Sequence, residues 1–235
     1  MRGVILAGGT GSRLMPLTKS INKHLLPVGG KPMIYWPLKV LLDNHITRIS
    51  IVSSPSGVGQ LAAYLGSGHE FGCQADYHVQ DQPGGIAQAL ACVNTYDLLT
   101  VILGDNVFLP SPKLPLSSGE PRCYLKRFRL DSPDLSDFGV PSFHSMGEHI
   151  TAVFEKPEVP PSEFAITGLY SFGPGVFDMI KNLPPSKRGE IEITDVLNEY
   201  AKERRLFDQV VDGFWGDAGT FDGMAECDKA CKEFA

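Results

Sequence analysis

The sequence lacks several features that would point to a membrane or nucleic-acid role. It has no apolar run of membrane-spanning length, no biased tract and no internal repeat. Positive charge is scarce, because 21 Lys and Arg stand against 27 Asp and Glu, and the formal net charge is −6. Nucleic acids and anionic membranes bind basic surfaces, so we expect neither as a partner. The first residues also lack the regions of a signal peptide, which predicts a cytoplasmic protein.

Cysteine is also scarce, at five residues, and its spacing carries no metal signature. No two cysteines form a CxxC pair, and only Cys227 and Cys231 have the i,i+4 spacing of one helix face. Two cysteines without a histidine or a second pair make a poor zinc site. We therefore interpret all five as reduced thiols with structural roles.

What is present is the alternation of strand and helix patterns that is typical of an α/β protein. At 235 residues the chain can form one large domain, or a domain with an inserted lobe. Patterns alternate through residues 1–108, which predicts a mainly parallel sheet covered on both faces. Residues 109–235 begin with strand patterns separated by short turns, so we expect a second, antiparallel layer beside the sheet. We interpret both halves as parts of one domain.

The expected elements follow from apolar periodicity and from the positions of Gly and Pro. Strands are expected at the start of the chain and over residues 47–53, 77–80, 98–103, 123–128, 138–143, 150–155, 165–172 and 206–211. Helices are expected over residues 31–44, 60–65, 86–93, 176–181 and 193–205, with one more at the end. Residues 145–148 have the composition of a hairpin turn.

The most informative stretch follows the first strand, where three glycines occur within four positions. Gly8, Gly9 and Gly11 can adopt positive φ angles that turn backbone N–H groups towards a closely approaching anion. Arg13 adds a charged donor fork that suits phosphate oxygens, and Lys23 adds a second cation. The alternative is an ordinary glycine-rich turn. The two cations favour a phosphate site, and it is neither a P-loop nor a dinucleotide fingerprint.

Three polar segments follow strands of the predicted parallel sheet, at residues 8–13, 80–85 and 104–106. Ligands of such sheets bind at the carboxyl ends of the strands, so these segments should converge on one ligand. A carboxylate that faces a phosphate site is typical of a bound divalent cation. Asp105 and Asp217 together therefore predict a Mg²⁺ site. The alternative for each aspartate, taken singly, is a helix cap or a turn residue.

Two pairs of adjacent charges lie in expected loops, Glu155-Lys156 and Lys187-Arg188. By residue chemistry alone, such pairs usually lie in solvated loops. Nothing in their spacing favours a binding role over that interpretation.

A series of short motifs runs through nearly the whole chain. The first covers residues 6–14 and continues through residues 16–18 and Lys23 to residues 25–28. Further motifs lie at residues 79–80, 85–89, 103–106, 138–140, 155–157, 167–170, 188–195 and 215–220. In this order they closely resemble the sugar-1-phosphate nucleotidyltransferases, and most of all the glucose-1-phosphate thymidylyltransferase group of that family.

The resemblance implies a fold. It is the Rossmann-like three-layer α/β/α fold of nucleotide-diphospho-sugar transferases, with a mostly parallel central sheet and a smaller antiparallel sugar-binding layer. Residues 1–108 would form the nucleotide-binding half of a single domain, and residues 109–235 the half that binds the sugar phosphate.

The resemblance also implies the site residues. It assigns catalysis to Arg13, Lys156 and Asp105, and the metal to Asp105 and Asp217. The implied nucleotide-binding residues are Leu6, Ala7, Gly8, Gly9, Thr10, Gly11, Ser12, Arg13, Lys23, Gln80, Pro83, Gly85, Gly104 and Asp105. The implied sugar-phosphate-binding residues are Asn106, Gly139, Glu155, Lys156, Ile166, Tyr170 and Arg188.

The implied activity is Mg²⁺-dependent transfer of a nucleotidyl group from a pyrimidine nucleoside triphosphate, with dTTP favoured, to glucose 1-phosphate. A UTP-dependent enzyme, or one that uses a related hexose 1-phosphate, is the alternative, because thymine and uracil differ by one methyl group. A non-catalytic sugar-nucleotide sensor is a further alternative. Such a sensor should have lost Arg13, Asp105 or Lys156, and all three are present.

Longer members of the thymidylyltransferase group continue past the final helix, whereas this sequence stops at Ala235. Their helical extension serves subunit contacts and a feedback site. We therefore expect no product inhibition at a second site, and a homo-oligomer stays an open alternative.

Overall fold

The computed structural model describes residues 1–115, 119–129, 133–144, 149–186 and 189–234. The strands are β1 (Arg2–Leu6), β2 (Pro27–Val28), β3 (Lys31–Pro32), β4 (Arg48–Ser53), β5 (Gln74–Val79), β6 (Leu99–Leu103), β7 (Asn106–Leu109), β8 (Arg122–Arg127), β9 (Gly139–Phe143), β10 (Ile150–Glu155), β11 (Phe164–Phe172), β12 (Phe207–Val210) and β13 (Phe214–Asp217). The α-helices are α1 (Tyr35–Asp43), α2 (Pro55–Leu65), α3 (Ile86–Ala91), α4 (Val176–Asn182), α5 (Ile193–Lys202) and α6 (Phe221–Phe234).

The central sheet has seven strands in the order β12-β8-β11-β6-β1-β4-β5. β1 pairs in parallel with β4 and β6, and β4 pairs in parallel with β5. β11 runs antiparallel between β6 and β8, and β12 pairs in parallel with β8 at the edge of the sheet. The mostly parallel sheet expected from the sequence is confirmed.

The side chains of β1 alternate between two hydrophobic cores, one on each face of the sheet. Val4 packs on one face in the core to which α3, α4 and α5 contribute, whereas Ile5 packs on the other face with α1 and α2. Successive residues of a strand point to opposite faces, so an uninterrupted apolar strand is buried on both sides. The result is the three-layer α/β/α arrangement.

The second half differs from the separate antiparallel layer that we expected. β9 and β10 do form a separate two-stranded sheet, but β8 and β11 join the central sheet. β11 has nine residues, nearly all of them buried, and such a strand needs cover on both faces. The sequence pattern indicated strands here, but it did not indicate which partners they would pair with.

Two helix boundaries also differ from the sequence prediction. The expected helix over residues 31–44 begins only at Tyr35, because Lys31–Pro32 pairs with Pro27–Val28 in a short antiparallel ribbon. Pro37 then lies in the first turn of α1, where its missing N–H costs no hydrogen bond. The expected helix over residues 193–205 ends at Lys202, because Arg204 adopts a left-handed φ of 56°.

The turn expected at residues 145–148 lies outside the described residues, as do Lys187 and Arg188. In the part of the chain that the structure describes, no helix combines the length and the apolar character that a membrane crossing requires.

Candidate active site

A cavity of about 370 Å³ opens at the carboxyl ends of β1, β5 and β6. This is the edge at which parallel α/β sheets bind their ligands. Most of the site residues expected from the sequence line it: Leu6, Gly8, Gly9, Arg13, Lys23, Gln80, Pro83, Gly85, Asp105, Asn106, Gly139, Glu155, Lys156, Ile166, Tyr170 and Asp217. The polar ends of β1, β5 and β6 therefore come together, as the rule for parallel sheets predicts.

A few expected residues do not line this cavity. Thr10 lines an adjoining cavity of about 360 Å³, which also reaches Gly9, Lys23 and Gln80. Neither cavity is lined by Ala7, Gly11, Ser12 or Gly104. Arg188 lies outside the described residues.

The glycine-rich loop turns at two of its three glycines. Gly9 has a φ of 88° and Gly11 a φ of 65°, which is the left-handed region that favours glycine. Gly8 does not have a positive φ, contrary to our expectation. Its constraint is space, because a β-carbon on Gly8 would lie 3.1 Å from Oε1 of Gln80. Thr18 closes the loop by donating its hydroxyl to the Gly11 carbonyl at 2.7 Å.

Gly104 does not line the cavity, but it leaves space for a side chain beneath it. A β-carbon at this position would lie 2.6 Å from Cδ2 of His24. The imidazole is fully buried, and its Nδ1 lies 2.8 Å from Oδ1 of Asn22. Because that oxygen is an acceptor, we assign the proton of the neutral ring to Nδ1. Gly104 thus allows β6 to pass directly over the ring before Asp105.

Asp105 and Asp217, 112 positions apart in the sequence, meet through an antiparallel pair of strands. β7 begins directly after Asp105, and β13 ends at Asp217, with Asp217 opposite Asn106 in the register. The Ala218 N–H donates to the backbone carbonyl of Asp105 at 2.8 Å, which extends the pairing past both aspartates. Neither strand was expected from the sequence, which indicated only a small-residue turn around Asp217.

Gly219 marks the point at which the charged groups of the site converge. A β-carbon at this position would lie 2.8 Å from Arg13 Nη2, 2.8 Å from Asp217 Oδ1 and 3.1 Å from Asp105 Oδ2. The Gly219 N–H also donates to Asp217 Oδ1 at 2.7 Å. One guanidinium and two carboxylates therefore surround a position that only glycine leaves open.

Asn106 holds Asp105 in place from the inside. Its amide oxygen accepts from the Trp215 indole N–H at 2.7 Å and from the Gly168 N–H at 3.0 Å. Its amide nitrogen donates to Asp105 Oδ1 at 3.2 Å. Because its oxygen is fully used, Asn106 has only a nitrogen donor left for a ligand.

Lys156 follows β10 with a φ of 47°, which is costly for a residue with a β-carbon. Its N–H donates to the Phe138 carbonyl at 3.1 Å, which fixes the turn that carries the side chain. Of the described non-glycine residues with a positive φ, only Lys156 lines the cavity. Strained backbone of this kind clusters at functional sites.

The model of the family described as nucleotidyl transferase matches residues 2–233. The chain belongs to the nucleotidyl transferase family.

Named relatives agree with this membership. A glucose-1-phosphate thymidylyltransferase of Mycobacterium tuberculosis is 38% identical over 240 residues, covering 96% of this chain and 80% of the relative. The low-salt glycan biosynthesis nucleotidyltransferase of Haloferax volcanii is 34% identical over 241 residues, and this chain spans 66% of its length. A Bacillus anthracis protein assigned as a glucose-1-phosphate thymidylyltransferase, solved with sucrose, shares 41% identity and a TM-score of 0.90 over 99% of this chain and 96% of that one.

In this nucleotidyl transferase the two aspartates have opposite electrostatic environments. Burial opposes ionisation of Asp105, but the surrounding groups, led by the Lys23 ammonium and including a hydrogen bond from Asn106, together lower the pKa of that carboxyl. Lys23 Nζ lies 2.5 Å from Asp105 Oδ2, and both side chains are largely buried. Burial, together with the nearby Asp105 charge, raises the pKa of Asp217 to about 6. Asp217 is thus the carboxylate that a further cation would stabilise most.

His24 provides a test of the packing beneath the site. Burial, with help from Lys23, lowers its pKa to about 3, whereas an unfolded histidine titrates near pH ~6.5. The unfolded chain therefore binds the extra proton first, so stability falls as the pH drops through this window. Relative to His24→Gln, the wild type should lose about 1.4 kcal/mol per pH unit below pH ~6.5. Denaturant unfolding at a series of pH values measures this, and parallel curves for the two proteins would contradict it.

Several lining residues of the nucleotidyl transferase site were not expected as site residues from the sequence. They are Ile86, Ala89, Leu103, Asp137, Phe138, Gly168, Glu190, Glu192, Ile193, Thr194 and Trp215. Many lie inside or beside the motifs at residues 85–89, 138–140, 188–195 and 215–220, so membership of a motif was the available signal. Gly219 belongs to the last of these motifs, but its role is visible only from the side chains around it.

Proposed function

We propose that this chain transfers a nucleotidyl group from a pyrimidine nucleoside triphosphate, with dTTP favoured, to glucose 1-phosphate and releases pyrophosphate. The observation that carries the proposal is the convergence of Arg13, Asp105 and Asp217 beside Gly219, at a cavity of about 370 Å³. A cation and a carboxylate pair are the groups that phosphoryl transfer uses for positioning and charge stabilisation. The names of the relatives favour the nucleotide and the sugar.

The two aspartates fit a divalent cation. A β-carbon on Gly219 would lie 3.1 Å from Asp105 Oδ2 and 2.8 Å from Asp217 Oδ1, so the two oxygens are about equally far from one point. Burial and repulsion by Asp105 leave the negative charge of Asp217 without enough compensating positive charge. Carboxylate oxygens are the ligands that Mg²⁺ prefers, and Mg²⁺ usually takes one or two of them, with water and phosphate oxygens completing its shell. A Mg²⁺ held by Asp105 and Asp217 would neutralise charge on the phosphate oxygens.

The reaction needs little proton chemistry from the protein. A sugar phosphate is largely dianionic at neutral pH, because its second pKa is about 6, so it requires no general base. One of its oxygens attacks the α-phosphorus, the bond from that phosphorus to the bridging oxygen of the β-phosphate breaks, and pyrophosphate leaves. The main obstacle is the repulsion between two polyanions. Arg13 and Lys156 reduce this repulsion and align the two phosphates in line.

Pyrophosphate release tests the proposed function. We expect the purified chain to release pyrophosphate from dTTP or UTP when glucose 1-phosphate is present, and more efficiently from dTTP. Omitting the sugar phosphate is the control, since simple triphosphate hydrolysis would not need it. If pyrophosphate release is more efficient with UTP or with another hexose 1-phosphate, that compound becomes the proposed substrate. Failure with every pair would refute the proposal.

Metal binding can be tested without turnover. A ligand at ~10 times its dissociation constant stabilises the folded state by about 1.4 kcal/mol. We expect Mg²⁺ to raise the thermal midpoint of the wild type and of Asp222→Asn, a control on the exposed start of α6. In Asp217→Asn the same Mg²⁺ titration should give little or no shift. An equal shift in all three proteins would remove Asp217 from the proposed metal site.

A further inference from the structure

β7 and β13 pair in a short ribbon, and one face of this ribbon carries both core and site residues. Phe108 lies opposite Trp215 in the register, and Asn106 lies opposite Asp217. Side chains that lie opposite each other, or two positions apart on one strand, point to the same face. Trp215 and Asn106 are therefore diagonal neighbours on the face that carries Asp217, and the indole is large enough to bridge the diagonal.

The amide of Asn106 is fixed in one orientation by three partners whose own polarity cannot change. Its oxygen accepts from the Trp215 indole N–H at 2.7 Å and from the Gly168 N–H at 3.0 Å, and its nitrogen donates to Asp105 Oδ1 at 3.2 Å. An indole and a backbone N–H can only donate, whereas an ionised carboxylate can only accept. A reversed amide would therefore lose all three hydrogen bonds, and none of these partners can turn to restore them.

The indole of Trp215 is held independently of its hydrogen bond. Its ring lies edge-on to Phe138, with centroids 4.9 Å apart, and to Phe128, with centroids 6.2 Å apart. These are favourable arrangements of aromatic rings. Only 6% of Trp215 is exposed. The indole N–H therefore approaches the Asn106 oxygen from a well-packed support.

The second donor to Asn106, the Gly168 N–H, does not make the indole redundant. One donor locates the amide oxygen, but the amide can still rotate about that contact. Two donors at separate positions also fix the plane of the amide, and so fix the direction of its N–H bond to Asp105. That bond is the longest of the three, at 3.2 Å, so a small rotation would weaken it most.

Asp105 is the residue on which this orientation acts. Asn106 occupies its Oδ1, whereas a β-carbon on Gly219 would lie 3.1 Å from its Oδ2 and 2.8 Å from Asp217 Oδ1. Holding Oδ1 thus keeps Oδ2 at the proposed metal position. Groups that orient a metal ligand in this way commonly contribute a factor of about 10 to 100 to metal affinity.

We propose that Trp215 is a positioning residue that orients the metal ligand Asp105 through the amide of Asn106. The indole does not have to contact Mg²⁺, because its effect passes through two hydrogen bonds. This inference rests on the proposed function, and specifically on a Mg²⁺ held by Asp105 and Asp217. Trp215 also lines the cavity, so direct contact with the sugar phosphate is the alternative role that the experiment must separate.

The experiment titrates the complete chain with Mg²⁺ alone and follows the thermal midpoint. Trp215→Phe keeps an aromatic ring and removes the indole N–H. Trp36→Phe is the matched control, because Trp36 is the other tryptophan of the chain, its N–H donates to the Val28 carbonyl at 3.0 Å, and it lines neither cavity. We expect Trp215→Phe to raise the dissociation constant of Mg²⁺ by about tenfold, whereas Trp36→Phe should keep the wild-type value.

A double variant tests the path through Asn106. Asn106→Ala removes the link between the indole and Asp105, so it should also weaken Mg²⁺ binding by about tenfold. Adding Trp215→Phe to Asn106→Ala should then weaken binding no further, because the two residues act in series. A further loss of similar size in the double variant would refute this path. If Asn106→Ala does not fold, the comparison of Trp215→Phe with Trp36→Phe decides the role of Trp215 alone.

The outcomes separate this inference from the proposed function. If the wild type releases pyrophosphate and Trp215→Phe binds Mg²⁺ as tightly as Trp36→Phe does, the function stands and the role of Trp215 is refuted. A higher KM for glucose 1-phosphate with unchanged Mg²⁺ affinity would refute it in favour of direct contact with the sugar phosphate. A wild type that releases pyrophosphate but shows no shift with Mg²⁺ would also refute it. If no substrate pair gives pyrophosphate, the proposed function fails, and the Mg²⁺ titrations still decide whether Trp215 orients Asp105.

Discussion

Arg13→Ala is expected to slow pyrophosphate release by about a thousandfold or more, with little change in stability. The guanidinium belongs to an exposed residue at the end of the glycine-rich loop, and it makes no ion pair with a described carboxylate within 4 Å. It is therefore available to phosphate oxygens. Removing an arginine that stabilises charge during phosphoryl transfer commonly costs a factor of about 10³ to 10⁵.

Two further variants sharpen this prediction. Arg13→Lys keeps the charge and loses the donor fork, so it should recover only part of the lost rate. Arg205→Ala removes an exposed arginine that pairs with Glu203 and lines neither cavity, so it should keep the wild-type rate. A well-folded Arg13→Ala with wild-type turnover would remove Arg13 from the mechanism. The expected loss lies in kcat as well as in kcat/KM, because the charge develops during the reaction.

The fold could be predicted where the physical signal is local. The apolar runs of β1, β4 and β6 are buried in the sheet. Gly66, which follows α2, has the positive φ that is expected at the end of a helix. The sequence indicated the antiparallel strands β8 and β11, but not their place in the central sheet. Strand pairing depends on which edges remain open after the rest of the chain has folded, and this is not a property of the strand's own residues.

The site could be predicted in part for a similar reason. The rule for parallel sheets predicts from the sequence alone that the polar segments after β1, β5 and β6 lie together, and they line one cavity. The approach of Asp217 to Asp105 required β7 and β13, two four-residue strands with no strong alternation. The pairing of Lys23 with Asp105 was also not foreseen, because a cation near a phosphate loop was expected to face the phosphate. The Lys23 ammonium instead donates to the Asp105 carboxylate.

This pairing suggests how the site changes when substrates bind. Lys23 donates to the same Asp105 oxygen that faces the point of convergence beside Gly219. A divalent cation at that point would compete with the ammonium, and a triphosphate on the glycine-rich loop would offer the ammonium new partners.

Gly219→Ala is expected to lower turnover by about a hundredfold while the chain stays folded. The backbone of Gly219 has no positive φ, so alanine brings no conformational strain of its own. Its β-carbon would instead lie within 3.1 Å of groups from Arg13, Asp105 and Asp217. Arg13 and Asp217 would have to shift, and Asp105 would have to give by a smaller amount. A displacement of ~1 Å in groups that position phosphates can cost a factor of about 10².

Gly59→Ala is the matched control, because it adds the same methyl group in α2, where no atom lies within 4 Å of the new β-carbon. That variant should keep full activity and gain about 0.5–1 kcal/mol of stability, as alanine favours a helix over glycine. Rates of pyrophosphate release and thermal midpoints of Gly59→Ala and Gly219→Ala test these expected effects on activity and stability. If Gly219→Ala works as fast as Gly59→Ala, the convergence of Arg13, Asp105 and Asp217 is not the arrangement that the reaction uses.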